Sequence, residues 1–294
     1  MTDSVVLILT HPADLHAAAV RVHLDAAGVE VHLLDTAALG TSIPVSAHVD
    51  GGVLTGKVGQ CDLARVAGVW HRRPSRFSIG NPEDAAELRA GVGGILAALP
   101  HLNHPADMAA ASFKPYQLAL AGRCGLSVPE TVVTTEVPSA AALADRLGNA
   151  VVVKPMSKEA PAFVAEGDRS GWERAMHLTQ ARVATTRHIR LTVVDGVMLA
   201  ARIESAYLDW RRDIAQCSYH RVETPDEVAN AVRALLVLLR LRFAAIDFAV
   251  DDDDRWWFLE VNPNGQWLWI EEATGLPISA NIARALSGEA IDGT

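Results

Sequence analysis

Short apolar runs of strand length alternate with helical stretches from the first residues onward. Val5 to Leu9 is unbroken, as a strand buried on both faces requires, and Val29 to Leu34 reads as a second strand. Between them, Pro12 and Asp14 mark a helix start ahead of LHAAAVRVHLDAAG, with Gly28 as its stop. Residues 4 to 35 therefore predict a strand–helix–strand unit. Its first turn, THPADLH, lacks the G-x-G-x-x-G phosphate turn, so the unit reads as scaffold. VSAHVDGGVLTGKV predicts a hairpin turning at Gly51-Gly52, VAGVWHRRPS a strand running into Arg72, Arg73 and Pro74, and residues 82 to 99 a helix. Lys114 opens the next long helix, which Gly125 ends, and Ser139 to Gly148 is a short one. AVVVK (150–154) and HLTQARV (177–183) are strands, and HIRLTVVDGVMLAARIES is a strand pair turning at Asp195-Gly196. Thr224, Pro225 and Glu227 form a capping box with proline at N1, starting a helix through Leu239, and a last helix runs from Ser279 to Leu286.

The most informative pattern is FAAIDFAVDDDDRWWFLEVNPNGQWLW, residues 243 to 269. Phe243, Ile246, Phe248 and Val250, then Trp256 to Leu259 and Val261, are strand signals on either side of the turn Asp251 to Asp254, which reads as a solvated loop. A loop of two or four residues pairs Asp251 with Asp254 or Val250 with Arg255, and either places Asp247 opposite Phe258. Alternation then puts Asp247, Glu260 and Asn262 on one face, with Asp247 and Glu260 diagonal neighbours roughly 7–8 Å apart. Two carboxylates at that separation can converge on a hard cation such as Mg²⁺. Spacing alone leaves this and a merely wet polar face equally open. Aromatic residues around Glu260 and Asn262 weigh against the wet face.

Composition narrows the setting. The 294 residues suffice for two or three lobes, and half of them are hydrophobic. No apolar run approaches the roughly eighteen residues that cross a membrane, and the start lacks the basic n-region of a signal peptide. A net charge of −9 argues against a dedicated nucleic-acid binder. Cys61, Cys124 and Cys217 have no metal-ligand spacing and fit a reduced cytoplasm as small core residues.

Individual basic residues add candidate chemistry. An ammonium closing an all-apolar strand needs a partner or a route to water: a phosphate would serve Lys154, and snorkelling to solvent is the alternative. Adjacent Arg72 and Arg73 at a strand end can hold a carboxylate or phosphate, or face solvent. His101 and His104, with Pro105 between them and any helix, are loop residues rather than metal ligands.

An aspartate followed by Glu-x-Asn across a hairpin resembles the metal site of the ATP-grasp ligases. The longer string FLEVNPNGQWLWIEEATGLPI resembles the ATP-grasp peptide maturases of the microviridin and graspetide type, which close side-chain rings in ribosomal peptides. The likeness spans roughly residues 69 to 286 and includes the helix-start lysine with its following Q-L, the VVVKP strand, R-x-T-V-V and Asp209-Trp210-Arg211. It implies an α/β fold: an ATP-grasp core behind an N-terminal α/β lobe, with lobes at 1–103, 104–185 and 186–294. It further implies Mg²⁺ on Asp247, Glu260 and Asn262, and ATP phosphates on Lys114 and Lys154. The nucleotide hinge would include Gln180, Arg182 and Val183, with Arg190 or Arg211 at the transition state and Arg72 and Arg73 at the substrate. The loop at 156–171, where the fold carries its phosphate lid, has only Gly167 and Gly171, both late. The implied partner is a precursor peptide of leader and core, with no nucleic acid or membrane, and a homodimer is a family expectation. Two other readings stay open: a ligase joining an amino acid or small acid to an amine, like the ribosomal-protein glutamate ligases, and a non-catalytic nucleotide- or peptide-binding module.

Overall fold

The computed structural model describes residues 4–156, 176–206 and 210–288, with residues 211–213 by backbone alone. The N-terminal lobe runs β1 (Val5–Thr10), α1 (Leu15–Ala26), β2 (Glu30–Leu34), β3 (Val45–Asp50), β4 (Val53–Val58), β5 (Cys61–Asp62), β6 (Val66–Arg73) and α2 (Pro82–Ala97). β2, β1 and β6 form a parallel sheet in that order, and every residue of β1 is buried. Asp14 caps α1 by accepting from the N–H groups of His16 and Ala17. The β3–β4 hairpin turns at Gly51 and Gly52, whose φ angles of 55° and 83° suit the two left-handed positions of a type I′ turn.

The middle of the chain carries α3 (Pro105–Ala111), α4 (Lys114–Arg123), β7 (Thr131–Thr134), α5 (Val137–Arg146), β8 (Val151–Lys154) and β9 (His177–Ala181). Its three strands pair antiparallel in the order β7-β9-β8. His104 is the N-cap of α3, its Nδ1 accepting from the N–H of Ala106. The loop expected at 156–171 falls, from residue 157 on, outside the described residues.

The last third comprises β10 (Arg187–Val194), β11 (Val197–Glu204), β12 (Ser218–Val222), α6 (Asp226–Leu239), β13 (Phe243–Val250), β14 (Trp256–Asn262), α7 (Leu268–Thr274) and α8 (Ile278–Ser287). Five strands pair antiparallel in the order β12-β11-β10-β13-β14. The helix expected to open with Thr224 as cap begins one residue later than that box implies. Pro225 is the N-cap, extended at ψ 140°, and no side chain caps the turn, though Asp226 and Glu227 sit where the helix dipole favours acid. Ala229, Val232, Leu235, Leu236 and Leu239 form the buried stripe of α6 against the sheet. The final helix crosses back to the N-terminal sheet: Ile278, Ile282 and Leu286 share a core with Val6, Ile8, Val20 and Trp70. A Cβ at Gly68 on β6 would lie 2.2 Å from the carbonyl oxygen of Leu286, so only glycine permits that approach. Among the described residues no helix is long and apolar enough to cross a membrane.

Candidate active site

The β13–β14 hairpin turns through three residues, Asp252 to Asp254, rather than two or four. Asp254 takes a left-handed φ of 58°, and the N–H of Asp251 donates to the carbonyl of Arg255. The Asp251 carboxylate accepts from the N–H groups of Asp253 and Arg255 and from Trp257 Nε1, so it organises the turn rather than merely being solvated. An odd loop shifts the register: Val250 faces Trp256 and Phe248 faces Phe258. The ladder is then broken between Asp247 and Phe248, and Leu259 is the extra residue of a bulge. Beyond it, Asp247 lies directly opposite Glu260, and Ala245 opposite Asn262.

This corrects the expected pairing of Asp247 with Phe258. Asp247, Glu260 and Asn262 still share a face, but the carboxylates are direct cross-strand neighbours, a pairing that brings Cβ atoms to about 4.5–5.5 Å. The bulge also explains how Phe258 stays buried against Phe248 while Glu260, two residues on, faces the other way.

Two cations hold the facing acids. Arg190, cross-strand partner of Asp247 on β10, places Nη1 2.7 Å from Asp247 Oδ1. Both side chains are 7% exposed. Its Nη2 donates to the carbonyl of Gln266 at 3.0 Å, and its guanidinium lies 5.8 Å from the Trp269 ring. Lys114, first residue of α4, puts Nζ 3.3 Å from Glu260 Oε2, with exposures of 23% and 24%. The Asn262 Oδ1 accepts the N–H of Asn264. All donors that Asp247, Glu260 and Asn262 offer are oxygens, the chemistry a hard divalent cation takes.

The outer edge of β14 is closed by groups the sequence does not advertise. The Phe258 N–H donates to the carbonyl of Ser127 at 2.8 Å. The buried Gln117 amide makes both backbone bonds of Val261, accepting its N–H at 3.0 Å and donating to its carbonyl at 2.9 Å. An edge that would otherwise recruit another strand is thereby sealed, and Glu260 is fixed between the two seals.

A second cluster lies on the β7-β9-β8 sheet. Lys154 Nζ donates to Gln180 Oε1 at 2.8 Å, and Gln180 Nε2 donates to Thr131 Oγ1. The expected phosphate lysine and hinge glutamine are thus in direct contact. Just past β9, the Arg182 N–H donates to the carbonyl of Ala150, and Val183 is half-buried. The Arg211 side chain is outside the described residues.

Arg72 departs from the expectation. It has no exposed surface, so it cannot touch a substrate as the sequence suggested. Its Nε pairs with Asp14 Oδ2 at 3.3 Å, Nη1 donates to both the carbonyl and Oδ1 of Asn264 at 3.0 Å, and the guanidinium stacks 5.2 Å from the Trp267 ring. Burial pulls the Arg72 guanidinium down to about 10, the charge of Asp14 opposing, so it stays cationic at neutral pH. Burial alone would raise the Asp14 carboxyl, but the hydrogen bond from His16, the Arg72 charge and Thr10 hold it well below the usual carboxylate range. His16 Nε2 accepts from the N–H groups of Trp267 and Leu268, which puts its proton on Nδ1, facing Asp14. The turn THPADLH, read as scaffold, in fact touches the segment leaving the carboxylate strand. Arg73 remains exposed.

A parallel N-terminal sheet, a small three-stranded antiparallel sheet and a five-stranded sheet with facing acids on its last hairpin together make the ATP-grasp fold preceded by an α/β lobe. No protein-family model matches the chain, and neither does any curated protein. Solved structures do. The macrocyclase MdnC bound with precursor peptide MdnA, from Microcystis aeruginosa MRC, matches at a TM-score of 0.83 and 24% identity, covering 97% of this chain and 100% of that one. A RiPP-associated ATP-grasp ligase of Chryseobacterium gregarium, in complex with ADP and a leader and core peptide, gives 0.85 and 22% over 98% of each chain. The ATP-grasp ligase PsnB, complexed with a phosphomimetic variant of minimal precursor, Mg and ADP, gives 0.81 and 25% over 97% of this chain and 98% of that one.

Proposed function

We propose that this protein is an ADP-forming ligase that activates a side-chain carboxylate of a ribosomally made precursor peptide and closes ω-ester or ω-amide macrocycles. The observation that carries this is the direct apposition of Asp247 and Glu260, each held by its own cation, in a chain similar over nearly its full length to a macrocyclase and an ATP-grasp ligase solved with their precursor peptides. The chain divides into lobes at 1–103, 104–185 and 186–294. The substrates are ATP and a peptide with leader and core, and a homodimer in the cytoplasm, where ATP is abundant and Cys61, Cys124 and Cys217 stay reduced, completes the reading.

Asp247, Glu260 and Asn262 would hold Mg²⁺, which when bound neutralises phosphate charge and aligns the terminal phosphoryl group. Lys114 and Lys154 take the phosphates, and the backbone at Gln180 to Val183 takes the base. Arg190 stabilises charge on the phosphoryl group in flight, with Arg211 as a second cation; Arg73 faces the peptide. The peptide carboxylate oxygen forms a bond to the γ-phosphorus as the bond to the ADP oxygen breaks, giving an acyl phosphate. A hydroxyl or amine of the same peptide then attacks the acyl carbon, loses its proton and expels phosphate. The net change in the peptide is loss of one water per ring. Holding both reacting groups together removes much of the entropic part of the barrier.

The test is ADP release by the wild type and Glu260→Gln with ATP, Mg²⁺ and a candidate precursor encoded beside this protein, with the peptide followed by mass spectrometry. Peptide-dependent ADP release with loss of water, both absent from the variant, is the expected result. ADP release with the peptide unchanged refutes the macrocyclase and favours a small-acid ligase. Nucleotide binding without turnover over a broad acceptor panel refutes an enzyme.

A further inference from the structure

The N-terminal lobe reaches the exit of β14 through one buried arginine. Asp14 is anchored by its capping bonds to α1 and by Thr10 Oγ1, which donates to its Oδ2 at 3.0 Å. From that anchor Arg72 spans to Asn264, whose Nδ2 donates in return to the Arg72 carbonyl. A planar guanidinium hydrogen-bonded at Nη1, ion-paired with Asp14 on its Nε side and packed on a ring is confined by all three contacts. Asn264 in turn donates its N–H to Asn262 Oδ1 at 3.0 Å, which sets the amide plane of Asn262. The next residue leaves no slack: a Cβ at Gly265 would sit 2.3 Å from Ala245 Cβ and 3.1 Å from Arg190 Nη2. A shift of Asn264 therefore moves Asn262 or collides with β13.

We infer that Asp14, Arg72 and Asn264 form a positioning relay by which the N-terminal lobe sets the Asn262 amide oxygen against the Asp247–Glu260 pair. This deepens the proposed function and rests on its reading of those three residues as cation ligands. The Asp14 and Arg72 side chains are enclosed, so they act through Asn264 and Asn262. Groups that orient metal ligands in this way typically change metal affinity when removed, with the fold intact.

The experiment measures Mn²⁺ binding to the full chain with ADP, from the electron paramagnetic resonance signal of the free ion. Asn264→Ala and Arg72→Lys are compared with wild type, with Glu260→Gln, and with Leu96→Ala, a destabilised cavity variant in α2 whose core cluster includes neither the relay residues nor the rings packed on Arg72. Expected is a loss of Mn²⁺ affinity of about tenfold or more in both relay variants, and none in Leu96→Ala at a temperature below every unfolding midpoint. In turnover the same variants should raise the Mg²⁺ requirement while the KM for ATP at saturating Mg²⁺ is unchanged. Relay variants that bind Mn²⁺ like wild type, while Glu260→Gln does not, overturn the relay and leave the ligand reading standing. Wild-type Mn²⁺ affinity in Glu260→Gln overturns the ligand reading itself, and the relay with it.

Discussion

The Arg190–Asp247 pair sets the sharpest expectation for stability. At 2.7 Å and an effective dielectric constant of about 20, two unit charges attract by ~6 kcal/mol. Much of that offsets the desolvation of two side chains each 7% exposed, so the pair as a unit adds little. Removing one partner is another matter, because it strands a buried charge. Asp247→Asn keeps the shape and an acceptor for Arg190 but not the compensating charge, and should cost about 3–5 kcal/mol. For a chain of this size that lowers the unfolding midpoint by roughly 10 °C. The double variant Arg190→Met with Asp247→Leu, which leaves no charge behind, should recover most of the loss while having no ligase activity.

The Lys114–Glu260 pair is the internal contrast. With both side chains nearly a quarter exposed, it should contribute no more than about 1 kcal/mol, so Glu260→Gln melts close to wild type. Differential scanning calorimetry and urea titration of these variants, at matched pH and salt, supply the comparison. An Asp247→Asn midpoint equal to that of Glu260→Gln would refute the buried-pair reasoning, and so would a double variant no more stable than Asp247→Asn.

Other expectations follow from single contacts. Gly265→Ala forces a Cβ to 2.3 Å from Ala245 Cβ, so it should lose about 1–3 kcal/mol in urea titration and weaken Mn²⁺ binding as well. Lys154→Met removes the ammonium held by Gln180 and, on the proposed reading, one phosphate contact worth about 1.5–3 kcal/mol; the KM for ATP should rise ten- to a hundredfold by that measure, and an unchanged KM would remove Lys154 from the nucleotide site. His71 is pushed down to about 4, first by burial and then by the charges of His101 and His104. Between its ordinary value of about 6.5 and that value the unfolded chain binds the extra proton, so stability should fall as pH falls from 6.5 toward 4, by up to ~1.4 kcal/mol per pH unit. His71→Gln should flatten that slope in urea titrations.

Strands, helices and most turns were legible because each depends on its own few residues. The apolar runs of β1 and β13, the Gly51-Gly52 and Asp195-Gly196 turns and the Asp14 cap are local facts that the structure keeps. The face shared by Asp247, Glu260 and Asn262 was legible too, though for an incomplete reason. A three-residue loop and a bulge cancel each other's effect on parity, and neither leaves a mark in an alternation count. What could not be read were side chains whose partners lie far along the chain. Arg72 meets Asn264 across 192 residues, Gln117 meets Val261 across 144 and His16 meets Trp267 across 251. A lone arginine beside another at a strand end looks like a surface pair until the fold supplies a buried aspartate and a tryptophan face. The tight aromatic string after Asn262 was the one available hint that this exit segment is enclosed.

The two acids at the centre are served by unlike cations, and the difference matters for how the site can work. Arg190 is enclosed, bonded to Asp247 and to the Gln266 carbonyl, and packed on Trp269, so it has no route to leave. Lys114 sits at a helix start on a flexible four-carbon stem, partly in water and at a longer 3.3 Å from its acid. A divalent cation arriving between Asp247 and Glu260 therefore has one neighbour it can displace and one it cannot. On the proposed reading, Lys114 holds Glu260 in the resting site and turns to the phosphates once the ion replaces it. Arg190 stays on the Asp247 side, where the proposed reading has it meet charge on the phosphoryl group. A resting site with balanced charge keeps two facing carboxylates from repelling each other without closing the position to metal. Lys114→Met should therefore leave Mn²⁺ affinity equal to or tighter than wild type while weakening ATP. A Lys114→Met protein that loses Mn²⁺ binding would show that the lysine supports the acid pair rather than exchanging with the ion.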